Sequence, residues 1–346
     1  MVITHSAPHS VPRSVPDLDV ELSVLTGTSV HALVDLSRLS AGGRSPGPLG
    51  DALGEIGDRT GETWLHLLGA CLGPGEPRSL GRLTEVLESM SPVDFRLLLL
   101  GYRAWSWRSI VGAETIEAAA RGEPGAISRL LSDDRYYARS AAAALGEVLH
   151  VGPAETKRRF LLALDEYGQA QEDEKELADR LGDLVLRIEG LGEAEGWLDA
   201  IEILTGYRYV AEPEARRVVL MPHLAGSSLI LAQHDDARLI VFGSRSAGTA
   251  ADRALSLGQA LSDASRIELL AALRAGPTQL GDLVGATALS RSTVHHHLRV
   301  LRDAGLVSVE GNARAYSYTI SRRGRSDALV ALAELLGVEK GDINGQ

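Results

Sequence analysis

Residues 290–305 read Ser-Arg-Ser-Thr-Val-His-His-His-Leu-Arg-Val-Leu-Arg-Asp-Ala-Gly, and their spacing decides the fold of the C-terminal quarter. Ser290 is a good N-cap and Gly305 a good stop just past the last turn. Val294, His297, Leu298 and Leu301 recur at i, i+3, i+4 and i+7, which predicts one inward stripe of a helix. The same period turns Arg291, Ser292, Thr293, His295, His296 and Arg299 outward. Hydroxyls, imidazoles and guanidinium groups donate to phosphates and base edges. A plain amphipathic surface helix carries the same pattern, so the flanking segments must separate the two readings.

Upstream, Asp263 caps a predicted helix over 264–274, with Ile267, Leu270 and Ala271 at helical spacing and Gly276-Pro277 ending it. Thr278 caps a second short helix over 279–287, whose Leu280, Leu283 and Val284 point inward. A turn at Ala288-Leu289 then leads to Ser290. Helix, tight turn and helix with an exposed polar face is the helix-turn-helix arrangement. Downstream, 306–310 and 315–320 alternate and favour strand, joined by a turn at Gly311-Asn312. Such a hairpin is a wing, with Arg314 near its tip.

These blocks resemble the winged-helix domain of the ArsR-type bacterial repressors. The matching residues are Leu261-Ser262-Asp263-Ala264-Ser265-Arg266, Leu280-Gly281-Asp282-Leu283, Ser292-Thr293-Val294-His295-His296-His297-Leu298 and Ala304-Gly305-Leu306-Val307. The resemblance covers 251–337, about a quarter of the chain. It implies a homodimer on double-stranded DNA, each subunit placing 290–304 in a major groove and its wing along the backbone. The DNA-facing set is then Ser290, Arg291, Ser292, Thr293, His295, His296, Arg299, Arg302 and Arg314. Flanking helices over 251–260 and 321–336 would make the dimer contact. Leu329, Leu332 and Leu336 suit either that seam or an internal core.

Charge distribution agrees. Nine arginines face five acids between 263 and 325, a net of +4, whereas the whole chain carries −11 and the remainder therefore −15. Phosphate attraction needs local positive potential, so DNA binding is expected at this end alone. Many relatives of this kind respond to metal ions, and soft-metal sensing needs thiolates close together. The single cysteine, Cys71, lies far off in sequence, and consecutive histidines on a helix point about 100° apart and cannot converge on one ion. His297 belongs to the inner stripe. No metal site and no cofactor is expected.

The fold class read from the sequence is α+β: a mostly helical N-terminal domain with a small antiparallel sheet, followed by the winged helix-turn-helix. The expected division is a flexible arm at 1–16, a domain at 17–245, the DNA-binding module at 251–337 and a tail at 338–346. Residues 18–25 are a candidate strand, and 49–206 read as helical almost throughout. Ser91-Pro92-Val93-Asp94 is a strong helix start, opening one that carries Phe95, Leu98, Leu99, Tyr102, Trp105 and Trp107. Strand-favouring runs follow at 207–211, 217–221, 227–232 and 238–242. This layout resembles an actinobacterial group of repressor-like proteins with a large N-terminal domain of unsettled role, through Tyr207-x-Tyr209 and Val218-Val219-Leu220-Met221-Pro222.

No secretory signal is visible in residues 1–17 and no apolar run is long enough to span a bilayer, so no membrane partner is expected. One cysteine suits the cytoplasm. The front domain has no nucleophile elbow, phosphate-cradling loop or dinucleotide fingerprint, so an enzyme is not expected. A small-molecule sensor is the leading reading, with Trp64, Tyr102, Trp105, Trp107 and Trp197 as effector-pocket candidates, although rings in so aromatic-poor a chain are more often core residues. A domain used for dimerisation or protein partners is the alternative. Repression is expected over activation, because a dimer seated on a promoter blocks polymerase without further machinery.

Overall fold

The computed structural model describes residues 13–15, 20–42, 47–57, 60–73, 77–133, 135–136, 145–171, 173–226, 228–243, 250–312, 315–321, 324, 328–330, 332–333 and 335. Its strands are β1 (Arg13–Val15), β2 (Val20–Val24), β3 (Tyr207–Tyr209), β4 (Arg217–His223), β5 (Leu229–His234), β6 (Ala237–Gly243), β7 (Thr278–Gln279), β8 (Val307–Asn312) and β9 (Ala315–Ile320). The chain forms two compact units, Met1–Arg187 with Glu214–Gly243, and Ile188–Pro213 with Ser244–Gln346. Among the described residues no helix is long and apolar enough to cross a membrane.

The first unit holds a five-stranded sheet in the order β1-β2-β4-β6-β5. Its orientation is mixed, which corrects the antiparallel expectation: β2 pairs parallel with β4 and β4 parallel with β6, and only β1 and β5 at the edges run antiparallel to their neighbours. Burial explains the difference. Every residue of β6 is buried, and so is Val218–His223 of β4, whereas β5 at the edge is half-buried along its length. Strands covered on both faces have continuous apolar runs in place of alternation. Residues 1–12 of the expected arm lie outside the described residues, and 13–15 form β1 rather than part of a free arm.

Helices cover this sheet. The main core joins Leu33 and Leu36 of helix Thr28–Gly42, Trp64, Phe95 and Phe160 to Val219, Leu239 and Val241 of the strands. A second cluster gathers Leu100, Ile116, Ala119, Leu130, Tyr136 and Leu145. Ser91 caps helix Pro92–Leu99 by accepting from the Asp94 amide at 3.1 Å. That helix stops sooner than its apolar spacing suggests, and Trp105–Val111 is a separate helix. Gly101 makes the break: its φ is +65°, and a Cβ there would stand 2.7–2.8 Å from Trp107 and His66.

The second unit packs helices Ala250–Leu261, Ala264–Leu273, Leu280–Thr287 and Arg291–Asp303 around Leu257, Leu269, Leu273, Leu283, Val294, Leu298, Leu301 and Val307. Its sheet has the order β3-β8-β9-β7. Strand β3, expected with the N-terminal sheet, pairs parallel with β8 through Tyr207↔Val309 and Tyr209↔Gly311. Ile188–Pro213, inside the segment 17–245 expected as one domain, packs with the C-terminal unit. Residues 244–249 and the tail 338–346 lie outside the described residues.

Gly27, just before helix Thr28–Gly42, offers a test of this packing. The Ser29 amide donates to the Arg78 carbonyl at 3.0 Å, and a Cβ on residue 27 would overlap that same oxygen. Gly27→Ala should cost about 2 kcal/mol or more by forcing the two segments apart. A lowered urea midpoint for the full chain checks it, and an unchanged midpoint contradicts the close approach.

Candidate nucleic-acid interface

Helix Arg291–Asp303 begins where its sequence says it should. Ser290 Oγ accepts from the Thr293 amide at 3.2 Å and lies 2.7 Å from Thr293 Oγ1 and 2.9 Å from Ser292 Oγ. Its buried residues are Val294, His297, Leu298 and Leu301, the stripe expected from periodicity. Because those four are fixed inward, Arg291, Ser292, His295, His296 and Arg299 are exposed and Thr293 is half-buried. Arg299 Nη2 lies 3.4 Å from His296 Nδ1, which places both groups on one stretch of surface. The pKa of His295 is lowered, first by partial desolvation and then by Arg299, Arg302, Arg291 and His296.

Two members of the sequence-derived set stand apart. Arg302 is only 13% exposed in its side chain and donates from Nη2 to Asp303 Oδ1 at 3.0 Å, so its charge is already compensated. Arg314 lies outside the described residues. His297 is buried, and among the described residues its Nδ1 has no hydrogen-bond partner.

The turn before the helix is tight. Helix Leu280–Thr287 ends at Ala288, which takes the left-handed conformation at φ +52° without being a glycine. Thr278 and Gln279, expected to open that helix, instead form β7 against β9. In the preceding helix Leu269 and Leu273 are buried, while Ile267, one of the apolar residues at helical spacing, is 46% exposed. Asp263 does cap it, accepting from the Arg266 amide at 3.2 Å. Arg266 is structural, donating to the carbonyls of Ala260 at 2.7 Å and Gln259 at 2.8 Å.

The sequence reading missed what supports the hairpin. Tyr207 is fully buried and its hydroxyl donates to the Gly311 carbonyl at 2.7 Å, while the Val309 amide donates to Gly206 at 2.8 Å. Glu202, on helix Trp197–Thr205, accepts from Ser308 Oγ at 2.9 Å and from Arg208 Nε at 3.0 Å. The Tyr-x-Tyr alternation signalled a strand but not its partner.

The aromatic residues of the first unit enter separate clusters. Trp64 is fully buried in the main core, 4.6 Å from the Phe160 ring, with Nε1 donating to Ser40 at 3.0 Å. Trp107 packs edge-on to Tyr136 at 5.3 Å in the second cluster, and the Tyr102 hydroxyl donates to Glu117 at 2.7 Å. Trp105 is half-buried. Trp197 belongs to the other unit, where its ring stands 2.7 Å from where a Gly192 Cβ would be. Gly101 separates Trp105 and Trp107 from the helix that carries Phe95. Among the described residues no three His, Cys, Asp or Glu side chains form a group able to hold a metal ion.

Comparison with known proteins gives the module relatives. Residues 263–309 match the family described as bacterial regulatory protein, arsR family. The HTH-type transcriptional regulator NmtR of Mycobacterium tuberculosis (strain ATCC 25618 / H37Rv) is 41% identical over 71 residues, which are 20% of this chain and 59% of NmtR. The HTH-type transcriptional regulator CmtR of Mycobacterium bovis (strain ATCC BAA-935 / AF2122/97) is 35% identical over 80 residues, 23% of this chain and 68% of CmtR. Among solved structures, NolR from Sinorhizobium fredii is 29% identical, covering 26% of this chain and 89% of its own, with a TM-score of 0.21. The chain thus spans about three-fifths to two-thirds of these curated relatives, and they span about a fifth of it.

Two substitutions at the turn should move stability in opposite directions. Ser290→Ala removes the cap and should destabilise the second unit by about 1 kcal/mol. Ala288→Gly relieves a left-handed alanine and should stabilise it by up to about 1 kcal/mol, less the extra chain entropy of glycine. Urea titrations of the two variants check the pair; equal midpoints would remove the described turn.

Proposed function

The chain belongs to the arsR family of bacterial regulatory proteins, and from that premise we propose that it is a transcriptional regulator that grips operator DNA through helix Arg291–Asp303. The observation that carries the proposal is the outward row of Arg291, Ser292, His295, His296 and Arg299 above a fully packed inner stripe. A rigidly seated helix presents those donors in a fixed geometry, and the local excess of arginine supplies the attraction that phosphates require. Ser290, by contrast, spends its hydroxyl on the cap and contacts DNA only in addition to that role. Thr293 joins the reading face at its edge. Arg302 and Arg314 stay in the contact set as backbone-binding residues.

The proposed assembly is a homodimer on an inverted repeat, with half-sites about 34–36 Å apart. Leu255, Leu261, Ile267, Leu329, Leu332 and Leu335 are large apolar side chains left exposed on the second unit, an unusual amount of apolar surface for one small domain. Leu336 lies outside the described residues. Repression follows from promoter occupancy, and the first unit serves as the small-molecule sensor.

Genomic fragments retained by the purified protein and then sequenced would supply the operator. On that operator Arg291→Ala and Arg299→Ala should each weaken binding and reduce the slope of log affinity against log salt by about 0.9, with folding unchanged. Unchanged affinity in both variants contradicts the placement of this helix. His295 adds a pH dependence. Its pKa is lowered in the free protein, and a nearby phosphate would raise it, so binding takes up a proton and strengthens as pH falls from about 7.5 to about 5.5. His295→Gln should flatten that dependence in a gel-shift series; an unaltered profile excludes His295 from the contact.

A further inference from the structure

The β8–β9 hairpin is anchored close to its turn. Tyr207 is fully buried, and its hydroxyl donates to the Gly311 carbonyl at 2.7 Å. Gly311 has φ +146° and pairs with Tyr209 on one side and Tyr316 on the other. Glycine leaves such a backbone loose, and the buried hydroxyl ties it. Strand β8 ends one residue later at Asn312, which pairs with Ala315, so Ala313 and Arg314 alone join the two strands. The anchored carbonyl is therefore three residues from Arg314, the only basic residue of the hairpin.

A second anchor grips the other end of β8. Ser308 is buried, and its hydroxyl donates to Glu202 Oε1 at 2.9 Å, while Glu202 Oε2 accepts from Arg208 Nε at 3.0 Å. Both oxygens of one carboxylate are thus committed, one to the wing and one to β3. The frame behind them is itself pinned. Thr205 Oγ1 donates to the Ile201 carbonyl at 2.6 Å and accepts from the Tyr207 amide at 3.0 Å. Gly206, at φ +66°, turns the chain from helix Trp197–Thr205 into β3. A hairpin held at both ends of one strand has a fixed direction as well as added stability, and a binding group at its tip depends on that direction.

We propose that Tyr207 and Glu202 are positioning residues for DNA binding: they hold the wing at the angle that brings Arg314 to a phosphate beside the groove entered by helix Arg291–Asp303. The inference rests on the regulator reading above. It extends the DNA-binding unit to two side chains outside the family's matching segment at 263–309, which act through the wing without touching DNA.

Operator affinity and its salt dependence, measured on the full chain, test it through a double-mutant cycle. Tyr207→Phe keeps the buried ring and should weaken operator binding about three- to tenfold, the worth of one hydrogen bond. Arg314→Ala should weaken binding and lower the slope of log affinity against log salt by about 0.9. In the Arg314→Ala background Tyr207→Phe should cost less than about twofold, because the contact it serves is already gone. Glu202→Ala should follow the same pattern, and Glu202→Gln, which still accepts from Ser308, should recover most of the affinity. The Glu202 variants carry the same cycle if Tyr207→Phe does not fold. A merely structural role lowers affinity by the same factor in both backgrounds, and that result overturns the proposal. So does wild-type affinity in Tyr207→Phe and Glu202→Ala, or an unchanged salt slope in Arg314→Ala. Wild-type protein that retains no operator fragment overturns the regulator reading and this inference with it, whereas retention with equal losses in both backgrounds overturns this inference alone.

Discussion

Four buried side chains on one face of helix Arg291–Asp303 are the constraint from which the functional surface follows. A helix has one rotation that buries residues at i, i+3, i+4 and i+7 together, and fixing it fixes every other side chain on the helix. Each apolar member contributes roughly 1.5–3 kcal/mol of burial, so turning the helix to present a different face would forfeit most of the module's stability. His297 sits in that stripe despite its idle Nδ1. Its neighbours His295 and His296 are exposed because His297 is not. Three identical residues in a row thus have two different physical roles, decided by about 100° of rotation per position.

The wing is held by chain that lies far from it in sequence. Strand β3 gives β8 a second hydrogen-bonded neighbour, and Glu202 ties Ser308 to Arg208 from the helix just before it. A two-stranded hairpin is marginal in water, and additional strands with a packed face stabilise it. The second unit therefore includes Ile188–Pro213 as structural support, and the helix-turn-helix is larger than the family's matching segment at 263–309.

What the sequence disclosed tracks how local each determinant is. Helix Arg291–Asp303 was legible in full because its cap, stripe and stop all lie within sixteen residues. For helix Ala264–Leu273 periodicity gave the helix but not its inward face: Leu269 and Leu273 are buried with Leu270 packed beside them, whereas Ile267 is exposed, a choice made by the neighbouring helices. The mixed sheet was misread as antiparallel because pairing partners β2 and β4 are separated by nearly two hundred residues. The apolar runs Val218–Met221 and Leu239–Phe242 did carry the signal, since an unbroken run marks a strand covered on both faces. Tyr207 was given to the wrong sheet for the same reason of distance. That Trp64 and Trp107 enter different clusters was not legible, because composition records how many rings a chain has and nothing of which core each enters.

Arg96 shows the opposite case, a buried structural contact that no local pattern announces. In sequence it is one arginine among apolar residues on the face of helix Pro92–Leu99; its meaning appears only when Thr156, Val148 and Val151 close around it.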